Sequence, residues 1–297
     1  MSHASENALT QTVTERLANC TDPRFKTVMS SLISHLHAFV RDVRLTDDEW
    51  MQAIQFLTAV GKACTEQRQE FILLSDTLGI SSLVLEVNHP ARAGSLESAV
   101  LGPFYVEGMA ERPLGADLTD GMAGEPTFYS GTICDTDGQP IAGAVLDIWS
   151  SDGIGVYDVQ NPGPFKAQGR AKIKTDAGGH YWFRSIKPAD YPVPTDGPVG
   201  VLLKQQGREP NRPGHLHLIV SAAGYTPVVT QIFVADSVYL DNDAVFGAKQ
   251  ALAGRFARHA PGTAPNGETV NAPFYTVEFD MRLLRSACND GSVDGPA

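Results

Sequence analysis

The first hundred residues carry apolar side chains at the spacing of amphipathic helices. From Asp22 to about Val40, apolar residues recur every three or four positions, which predicts a helix with one apolar stripe. The stripe consists of Phe25, Val28, Leu32, Leu36 and Phe39. Thr46 and Glu49 then form the S/T-x-x-E pattern of a capping box, which predicts the start of a second helix.

The helical pattern continues through this second helix and the segment after it. Four apolar residues are expected along the buried side of the second helix: Trp50, Ile54, Leu57 and Val60. A third helical stretch, RQEFILLSDTLG, ends where Gly79 can serve as a C-terminal cap. The sequence therefore predicts a helical N-terminal region.

After about Gly102 the pattern changes to short β-favouring runs separated by turns. The runs are TFYSGTIC, GAVLDIWSS, GHYWFRSI, GHLHLIVSA, VVTQIFVA and FYTVEFDMRLL, and the turns include DTDG, TDAGG and PTDGP. Many short strands without interleaved helices are typical of an antiparallel β-sandwich. We therefore expect an α-helical domain over residues 1–100, an all-β core over residues 101–288, and a disordered tail over residues 289–297.

Composition and charge narrow the class of protein. The chain has 297 residues, of which 42% are hydrophobic and 19% charged, as in ordinary globular proteins. Its net charge of −11 argues against nucleic acid as a partner, because a phosphate backbone requires a basic face. The sequence contains no apolar run of about 18 residues, so no membrane span is expected.

The N-terminus and the cysteines bear on the compartment. The N-terminal segment MSHASENALTQTVTERLANC lacks the charged-then-apolar pattern of an export signal. The four cysteines, Cys20, Cys64, Cys134 and Cys288, lie far apart and form no CxxC pair. Both features favour a cytoplasmic protein with free thiols.

The tripeptide His-x-His occurs twice, and geometry separates the two cases. His35 and His37 lie in the predicted helix from Asp22, where residues two apart point about 200° away from each other. His215 and His217 begin a predicted strand, where side chains two apart leave the same face and can converge on one metal ion. By itself this pattern is modest evidence, since a pair of surface histidines explains it more readily than a metal pair.

The neighbourhood of the strand histidines contains few conventional ligands. Zinc or iron(II) sites normally add a cysteine or a carboxylate, yet the segment EPNRPGHLHLIV contains only Glu209. Tyr157, in SDGIGVYDVQ, and Tyr191, in KPADYPVPTDGP, instead occupy glycine- and proline-rich segments, where functional groups concentrate. The residues alone leave open whether these tyrosines are structural or functional.

Several segments, in order along the chain, resemble the intradiol ring-cleavage dioxygenases, the family of catechol, chlorocatechol and hydroxyquinol 1,2-dioxygenases. The matching segments lie at residues 101–105, 131–158, 191–200, 207–217, 230–233 and 239–249, within a region of roughly residues 70 to 250. The family's arginine-proline-alanine-histidine run has Gly214 in place of the alanine. We expect this small-for-small change to leave the neighbouring positions intact.

This resemblance implies an iron site and three catalytic residues. It implies one iron(III) ion per subunit with four ligands: Tyr157, Tyr191, His215 and His217. It also implies that Arg212 lies beside the substrate, that Gln231 lies near the iron, and that Tyr191 leaves the metal and accepts a substrate proton. Two tyrosinates suit a ferric ion, because a strongly charged metal is needed to deprotonate a phenol with a pKa near 10.

The resemblance further implies a substrate pocket. Its expected lining residues are Leu73, Asp76, Val100, Gly102, Pro103, Phe104, Val193, Pro194, Arg212, Ala244 and Val245. Asp76 is expected to accept a hydrogen bond from a third ring hydroxyl, and Ala244 is small where plain-catechol enzymes carry a bulky aromatic residue. The expected reaction is cleavage of hydroxyquinol by O2 to 3-hydroxy-cis,cis-muconate (maleylacetate). Catechol or chlorocatechol cleavage is the alternative.

The N-terminal helices resemble the dimer-forming domain of this family, whose helices line a channel that can hold a lipid tail. A homodimer, and a phospholipid bound in the helical domain, are therefore expected; a plain helical cap is the alternative. Two rival functions are a β-sandwich binding module that has lost the chemistry and an extradiol iron(II) enzyme. The extradiol enzyme would require a carboxylate ligand.

Overall fold

The computed structural model of the chain describes residues 3–65 and 68–286. Cys288 and the tail over residues 289–297, for which disorder is predicted, lie outside the described residues. The chain divides into two compact units, one ending at Ala63 and one beginning at Cys64. Helices of the N-terminal half continue to Asn88, and the first strand begins at Pro126. The domain boundary expected at residue 100 lies between these elements and stays a prediction.

The first unit consists of three helices and a short 3₁₀ turn. The helices are α1 (His3–Glu15), α2 (Pro23–Val43) and α3 (Asp47–Ala63), and the 3₁₀ turn, Arg16–Asn19, follows α1. α2 starts where the sequence predicts, since the carboxylate of Asp22 accepts the backbone N–H groups of Arg24 at 2.8 Å and Phe25 at 3.0 Å. The side chain of Asp22 therefore caps α2. Helix α1, before it, was not predicted from the sequence.

The predicted capping box at the start of α3 is confirmed. The carboxylate of Glu49 accepts the backbone N–H of Thr46 at 2.9 Å, and the hydroxyl of Thr46 accepts the N–H of Glu49 at 3.3 Å. This reciprocal pair satisfies two backbone donors that the first turn of a helix otherwise leaves unpaired.

The expectation of a buried side on α3 is wrong for the single chain. Val60 is fully buried, but Trp50, Ile54 and Leu57 are between 44% and 52% exposed. The apolar stripe on α2 is exposed to a similar extent. The periodicity of the two helices was predicted correctly, but the single chain leaves most of both apolar faces open to solvent.

The second unit begins with two helices and contains a third further along the chain. These are α4 (Glu70–Thr77), α5 (Ile80–Asn88) and α6 (Pro198–Gln205), of which only α4 was predicted. Gly79 lies between α4 and α5 with a left-handed φ of 73°, as expected for a glycine that ends a helix. This turn keeps the end of α4 close to the start of α5.

The strands of the second unit match the predicted runs, with several short additions. In chain order the strands are β1 (Pro126–Asp135), β2 (Val145–Ser150), β3 (Ala171–Lys174), β4 (His180–Ile186), β5 (Tyr191–Pro192), β6 (Asn211–Arg212), β7 (His215–Ser221), β8 (Val228–Val234), β9 (Ala253–Gly254), β10 (Ala257–His259), β11 (Gly262–Thr263), β12 (Thr269–Val270), β13 (Phe274–Glu278) and β14 (Met281–Leu283). The run FYTVEFDMRLL is divided into β13 and β14, both of which pair with β1.

Two five-stranded sheets form the predicted sandwich. One sheet has the order β10-β13-β1-β14, with β4 also paired to β1, and the other has the order β3-β2-β7-β8-β9. The pairs β1–β4, β2–β7 and β7–β8 are antiparallel, as expected. β1 pairs in parallel with β13 and β14, and β8 with β9, so the sheets are mixed rather than purely antiparallel.

The main core contains side chains from both sheets. The first sheet contributes Ile133 and Phe183, and the second contributes Leu146, Leu218 and Ile232, all of them buried. Because side chains alternate along a strand, the residues between these core positions on the second sheet point to its other face. That face carries the chemistry described next.

Candidate active site

The two strand histidines lie on the face of β7 opposite the core. Leu216 and Leu218 belong to the core cluster, whereas His215 and His217 point the other way and are both buried. Their Nε2 atoms lie 3.1 Å apart. The strand therefore aims two imidazole nitrogens at one point.

Two tyrosines complete a cluster of four donor side chains. The hydroxyl of Tyr157 lies 3.0 Å from Nε2 of His217, and it is hydrogen-bonded to the hydroxyl of Tyr191. The Tyr191 ring lies 5.6 Å from the ring of His215, measured between centroids. We call Tyr157, Tyr191, His215 and His217 the donor cluster.

Local backbone structure places both tyrosines. Tyr157 immediately precedes a 3₁₀ turn, and its backbone N–H donates to the side-chain oxygen of Gln160 at 2.8 Å. Tyr191 begins β5 and is the cross-strand partner of Arg212 in β6. The pairing of β5 with β6 therefore places Tyr191 opposite Arg212, which precedes the first donor histidine by three residues.

The other His-x-His pair forms no such cluster. His35 is exposed on α2, whereas Nδ1 of His37 lies 2.9 Å from the hydroxyl of Thr10 on α1. The two side chains thus point in different directions, as helical spacing requires.

Burial sets the charge of the donor cluster. Burial, aided by the charge of Arg212, lowers the pKa of His215 to about 3, and burial also lowers the pKa of His217 well below its ordinary value. Both imidazoles are therefore neutral near pH 7. Burial, with Tyr191 as a neighbour, raises the pKa of Tyr157 well above 10, so a phenolate at this position requires a strongly positive partner.

Neighbouring groups orient the two imidazoles. Nδ1 of His215 lies 2.8 Å from the carbonyl oxygen of Pro213. Because a carbonyl can only accept, Nδ1 carries the proton and the lone pair of the neutral ring is on Nε2, facing the cluster. The ring of His217 stacks on Trp149, with 4.7 Å between centroids and 11° between planes.

A cross-strand row explains why these neighbours meet. Trp149 of β2, His217 of β7 and Gln231 of β8 are partners in register across three adjacent strands. The amide nitrogen of Gln231 lies 3.2 Å from Nδ1 of His217 and donates to the carbonyl oxygen of Val100 at 2.7 Å. Trp149 was missed from the sequence, since its proximity to His217 depends on strand register.

The chemistry of the donor set fits a ferric ion. Among residues 3–65 and 68–286, no group of three or more His, Cys, Asp or Glu side chains could hold a metal. The donor cluster instead combines two imidazole nitrogens with two phenol oxygens. Oxygen donors that become anionic on binding suit a hard, highly charged cation, and they take the place of the carboxylate found in iron(II) sites.

Arg212 lies beside the donor cluster in a buried ion pair. Its Nε donates to Asp243 at 3.0 Å and its Nη2 at 3.2 Å, while Nη1 lies 3.4 Å from Nε2 of His215. Burial opposes the positive charge, but Asp243 and the two cluster tyrosines raise the pKa of Arg212. The guanidinium is therefore a permanent positive charge at the site.

Asp243 was missed from the sequence, although it holds Arg212 in place. Burial acts to raise the pKa of its carboxyl, yet the charge and hydrogen bonds of Arg212, together with the backbone N–H of Val245, outweigh burial and lower it. The carboxylate also accepts the backbone N–H groups of Val245, Gly247 and Ala248 at 2.9 to 3.2 Å. A buried arginine needs such a partner, but no sequence signal connects residues 31 positions apart.

A second buried ion pair lies behind Tyr157. Arg170 binds the carboxylate of Asp158, the residue after Tyr157, through Nε and Nη2 at 2.6 to 2.9 Å. Its positive charge acts to lower the pKa of Tyr157 against the larger effect of burial. The sequence analysis did not identify this pair either.

The segment before β1 covers the donor cluster. The ring of Phe104 stacks on Tyr157, with 4.4 Å between centroids. Gly102 has a left-handed φ of 75°, and a Cβ atom there would lie 3.1 Å from Cε1 of His217. A side chain at position 102 would thus crowd the cluster, which accounts for the glycine. Pro103, also expected in the pocket, is exposed.

Four of the expected pocket residues pack together at one side. Val193, Ala244 and Val245 belong to one buried cluster, and Leu73 of α4 packs against it. Asp76 lies one helical turn further along α4 and is half-buried. We call Leu73, Asp76, Val193, Ala244 and Val245 the pocket wall. Pro194, expected beside them, is exposed.

The carboxyl of Asp76 is electrostatically coupled to Arg212, the arginine beside the donor cluster. Burial raises its pKa, while a hydrogen bond with Ser81 and the charge of Arg212 act in the opposite direction. Asp76 is therefore not the fully exposed carboxylate that a helix end often carries. Its side chain lies within the field of the buried arginine.

Gly214 stands where the resemblance leads one to expect alanine, and His215 and His217 keep their places in the donor cluster, as expected. A Cβ atom at this position would overlap the carbonyl group of Pro188. The backbone N–H of Gly214 donates to the carboxylate of Asp190, next to Tyr191, at 2.7 Å. The glycine thus permits a close approach of the segment that carries Tyr191.

Comparisons with known proteins show what the whole chain is similar to. A family model described as "Dioxygenase" matches residues 100–284, and one described as "Catechol dioxygenase N terminus" matches residues 22–95. The 6-chlorohydroxyquinol 1,2-dioxygenase of Cupriavidus pinatubonensis is 46% identical over 95% of this chain and 99% of its own. The hydroxyquinol 1,2-dioxygenase of a Rhizobium species is 45% identical, over 94% and 96% of the two chains.

A solved structure shows the same similarity in three dimensions. The hydroxyquinol 1,2-dioxygenase of Pseudomonas putida superposes with a TM-score of 0.91 and 38% identity, over 96% of this chain and all of that chain.

Within the described residues, each helix is too short or too polar to cross a membrane.

Proposed function

Because the chain belongs to the intradiol ring-cleavage dioxygenase family, we propose that it cleaves hydroxyquinol (1,2,4-trihydroxybenzene) between the two adjacent hydroxyl-bearing carbons. Both atoms of O2 enter the product, 3-hydroxy-cis,cis-muconate (maleylacetate). The single observation that carries the choice of substrate is the position of Asp76. This half-buried carboxyl lies on the pocket wall, within the field of Arg212.

The donor cluster is proposed to hold one iron(III) ion per subunit, as its donor set fits. The family consists of non-haem iron enzymes. When bound, the ferric ion supplies a Lewis acid that draws electron density from the bound diol and activates its ring towards O2. The ligands would be His215, His217, Tyr157 and Tyr191.

The two tyrosines are proposed to have different tasks. Tyr157 is fully buried between Phe104 and His217, which favours a fixed ligand. Tyr191 is only partly buried, so a bound substrate can reach its phenol oxygen. In our proposal, Tyr191 accepts the proton of one substrate hydroxyl.

Arg212 and Gln231 are proposed to support the reaction from either side of the histidines. The guanidinium of Arg212, held by Asp243, stabilises negative charge that develops on the ring. The side-chain amide of Gln231 packs against Nδ1 of His217, 3.2 Å away, and so limits rotation of that ring. Gly102, Val100, Pro103, Phe104 and Pro194 are proposed to complete the pocket around the substrate.

The substrate choice depends on the pocket wall. A carboxyl at Asp76 can accept a hydrogen bond from a third ring hydroxyl, which catechol lacks. Ala244, also on the pocket wall, is small and buried, and we propose that this leaves room for that hydroxyl. A site built to bind a hydroxyl disfavours the analogue without it, because the polar group is then left unpaired.

Oxygen uptake with hydroxyquinol, catechol and 4-chlorocatechol, measured side by side, tests the proposal. We expect the highest kcat/KM with hydroxyquinol and a product with the absorption of 3-hydroxymuconate. A preference for catechol or for 4-chlorocatechol would contradict the hydroxyquinol assignment and support the corresponding alternative.

We also propose that the chain forms a homodimer through the first unit. The apolar stripes of α2 and α3 are about half exposed in one chain, and such faces usually mark an interface. We propose that a phospholipid tail occupies part of the same apolar surface. A stable, fully active monomer in light scattering would contradict the dimer, and the absence of lipid from an organic extract analysed by mass spectrometry would contradict the phospholipid.

A cytoplasmic location is proposed on the basis of the cysteines. Within the described residues, Cys20 and Cys134 are free thiols. Unpaired cysteines are typical of a reducing compartment. Recovery of the protein in the periplasmic or secreted fraction of its host would contradict this proposal.

A further inference from the structure

Arg208 lies in the loop after α6, where its guanidinium joins two parts of the pocket wall. Nη1 donates to the carbonyl oxygen of Thr77, the last residue of α4, at 2.5 Å, and Nη2 donates to the carbonyl oxygen of Ala244 at 2.8 Å. We propose that Arg208 is a positioning residue that fixes Asp76 relative to Ala244, and so determines the preference for a third ring hydroxyl. This inference rests on the proposed function.

The two carbonyl groups that Arg208 binds belong to the parts of the pocket wall that matter for specificity. Thr77 directly follows Asp76 at the end of α4, and Ala244 is itself a wall residue. The planar guanidinium presents its N–H groups in a rigid fork, so it holds two acceptors at one fixed separation. A lysine in the same place has a single nitrogen and cannot impose that separation.

Phe246 packs against the guanidinium of Arg208 and against the turn between α4 and α5. The Cζ atom of Arg208 lies 4.4 Å from the centre of the Phe246 ring, and that ring also covers Gly79, where a Cβ atom would meet it at 3.3 Å. Phe246 has a left-handed φ of 54°, which a bulky residue rarely adopts. Such a conformation persists only where its surroundings hold it, and here those surroundings are Arg208 and the α4–α5 turn.

The turn that carries Ala244 is independently fixed to the sheet side of the site. The backbone N–H of Ala244 donates to the carbonyl oxygen of Asn211 at 3.0 Å, and the carboxylate of Asp243 accepts three backbone N–H groups of the following residues. On the helix side, the hydroxyl of Ser82 donates to the carbonyl oxygen of Val245 at 3.0 Å. Arg208 adds the link from this fixed turn to the residue next to Asp76.

This geometry predicts an effect on specificity rather than on chemistry. A hydrogen bond weakens steeply once donor and acceptor separate beyond about 3.2 Å. Release of the end of α4 therefore weakens the bond between Asp76 and a third hydroxyl. Catechol has no such hydroxyl, and its cleavage does not depend on that bond.

Arg208→Met and Arg208→Lys test the inference, with Arg285→Met as the matched control. Arg285 also lies over an aromatic ring, with its Cζ 5.5 Å from the centre of Tyr225, and also binds through its guanidinium, to Asp135. We expect both Arg208 variants to lower the ratio of kcat/KM for hydroxyquinol over catechol by about tenfold, a loss comparable to one hydrogen bond. The ratio of the control should stay at the wild-type value.

Iron content and the visible absorption band are measured for every variant and should be unchanged, because Arg208 does not contact the donor cluster. If Arg208→Met fails to fold, Arg208→Lys carries the test. Equal losses with hydroxyquinol and catechol would show that Arg208 only stabilises the fold, and would overturn the inference.

A double-mutant cycle separates this inference from the proposed function. In an Asp76→Ala background, Arg208→Met should no longer change the substrate ratio, since the group that it positions is absent. If the two substitutions change the substrate ratio independently, so that their fold-changes multiply, the inference is overturned. If the wild type does not prefer hydroxyquinol, the proposed function fails. In that case a double-mutant cycle of Arg208→Met and Ala244→Val, measured as kcat/KM on the preferred substrate, decides the inference. Additive effects of the two substitutions on the activation free energy would overturn it.

Discussion

The donor cluster and the pocket wall are built in opposite ways. His215 and His217 come from one strand, and their neighbours Trp149 and Gln231 come from the adjacent strands of the same sheet. The pocket wall instead combines α4, the residues after β5 and the turn that carries Ala244. Arg208 connects the end of α4 to this turn, although it lies 131 positions after Thr77 and 36 positions before Ala244 in the sequence. The first arrangement follows from strand geometry, and the second depends on a few long-range contacts.

Burial differs between the polar groups of the two regions. Both histidines and Tyr157 in the donor cluster are almost completely buried, whereas Asp76, the ionisable residue of the pocket wall, is only partly buried. A buried polar group that loses its partner cannot turn to water, so changes in the cluster should be costly. Changes in the wall should adjust the choice of substrate and leave the chemistry in place.

The largest expected effect is that of Tyr157→Phe. Removal of the phenol oxygen deletes a proposed ligand, so we expect loss of turnover and of most of the red-brown colour that tyrosinate-to-iron charge transfer should give. Visible absorption and oxygen uptake measure both. The matched control is Tyr181→Phe, which deletes another buried phenol oxygen, one that donates to the carbonyl oxygen of Phe279 in the core.

Tyr181→Phe should cost about 1 kcal/mol of unfolding free energy, the usual value of one hydrogen bond, and should keep the colour. A coloured, fully active Tyr157→Phe protein would remove Tyr157 from the metal site. It would also end the contrast between the two regions, since the cluster would then tolerate loss of a donor.

Arg212→Ala should have the next largest effect. Loss of a buried charge beside the substrate should lower kcat by roughly 10²-fold or more, within the range found when electrostatic stabilisation of a transition state is removed. Iron content, measured by metal analysis, should change little. Arg184→Ala serves as the control, because Arg184 also pairs with a carboxylate, that of Asp117, but on β4 of the other sheet.

The result for Arg212 distinguishes two roles. A variant that loses iron but keeps the wild-type rate per remaining iron would show that Arg212 holds the cluster together. A variant that keeps iron but turns over slowly would place the guanidinium in the reaction.

The contrast between cluster and wall also explains how much the sequence could predict. Strand alternation placed His215 and His217 on one face without knowledge of any other strand. The main strands, the start of α2 at Asp22 and the capping box at Thr46 likewise depend on neighbours within a few residues, and the structure has them where they were expected.

Features that depend on partners distant in sequence were not predicted. Asp243 and Arg170 form buried ion pairs whose partners are 31 and 12 positions away, and Trp149 reaches His217 only through strand register. The parallel pairing of β13 and β14 with β1 has the same cause. No local pattern of apolar and polar residues encodes which segments meet.

One expectation failed for a different reason. The apolar side of α3 was expected to be buried, but periodicity shows only that a face is apolar, not that the same chain covers it. The error concerns what lies against a residue rather than the residue itself.

Asp76→Ala should have a smaller effect than the changes in the cluster, and a selective one. Loss of the proposed acceptor should lower kcat/KM for hydroxyquinol relative to catechol by a factor equivalent to about 1–3 kcal/mol. Glu86→Ala, on the exposed surface of α5, is the control and should leave the ratio unchanged. Equal losses with the two substrates would show that Asp76 does not bind the third hydroxyl.

The smallest expected effect is on the free energy of unfolding. It tests whether burial or the charge of Arg212 dominates at Asp76 of the pocket wall. Burial raises the pKa of Asp76 in the folded chain above the value of about 3.9 that an unfolded chain has. The protonated form is therefore the one that the fold favours. Its contribution to stability is complete below the unfolded pKa and is lost as pH rises through the folded pKa.

Asp76→Asn cannot ionise, so its unfolding free energy relative to the wild type should increase as pH rises from about 4 and then level off. Denaturant unfolding of the iron-loaded proteins at several pH values measures this difference, in which effects common to both proteins cancel. Because the hydrogen bond from Ser81 lowers the pKa of Asp76, a Ser81→Ala background should enlarge the difference. If instead the wild type gains stability over Asp76→Asn as pH rises, the charge of Arg212 outweighs burial at this position. The wall would then resemble the donor cluster, where a buried charge is held by its partner, and the contrast between the two regions would disappear.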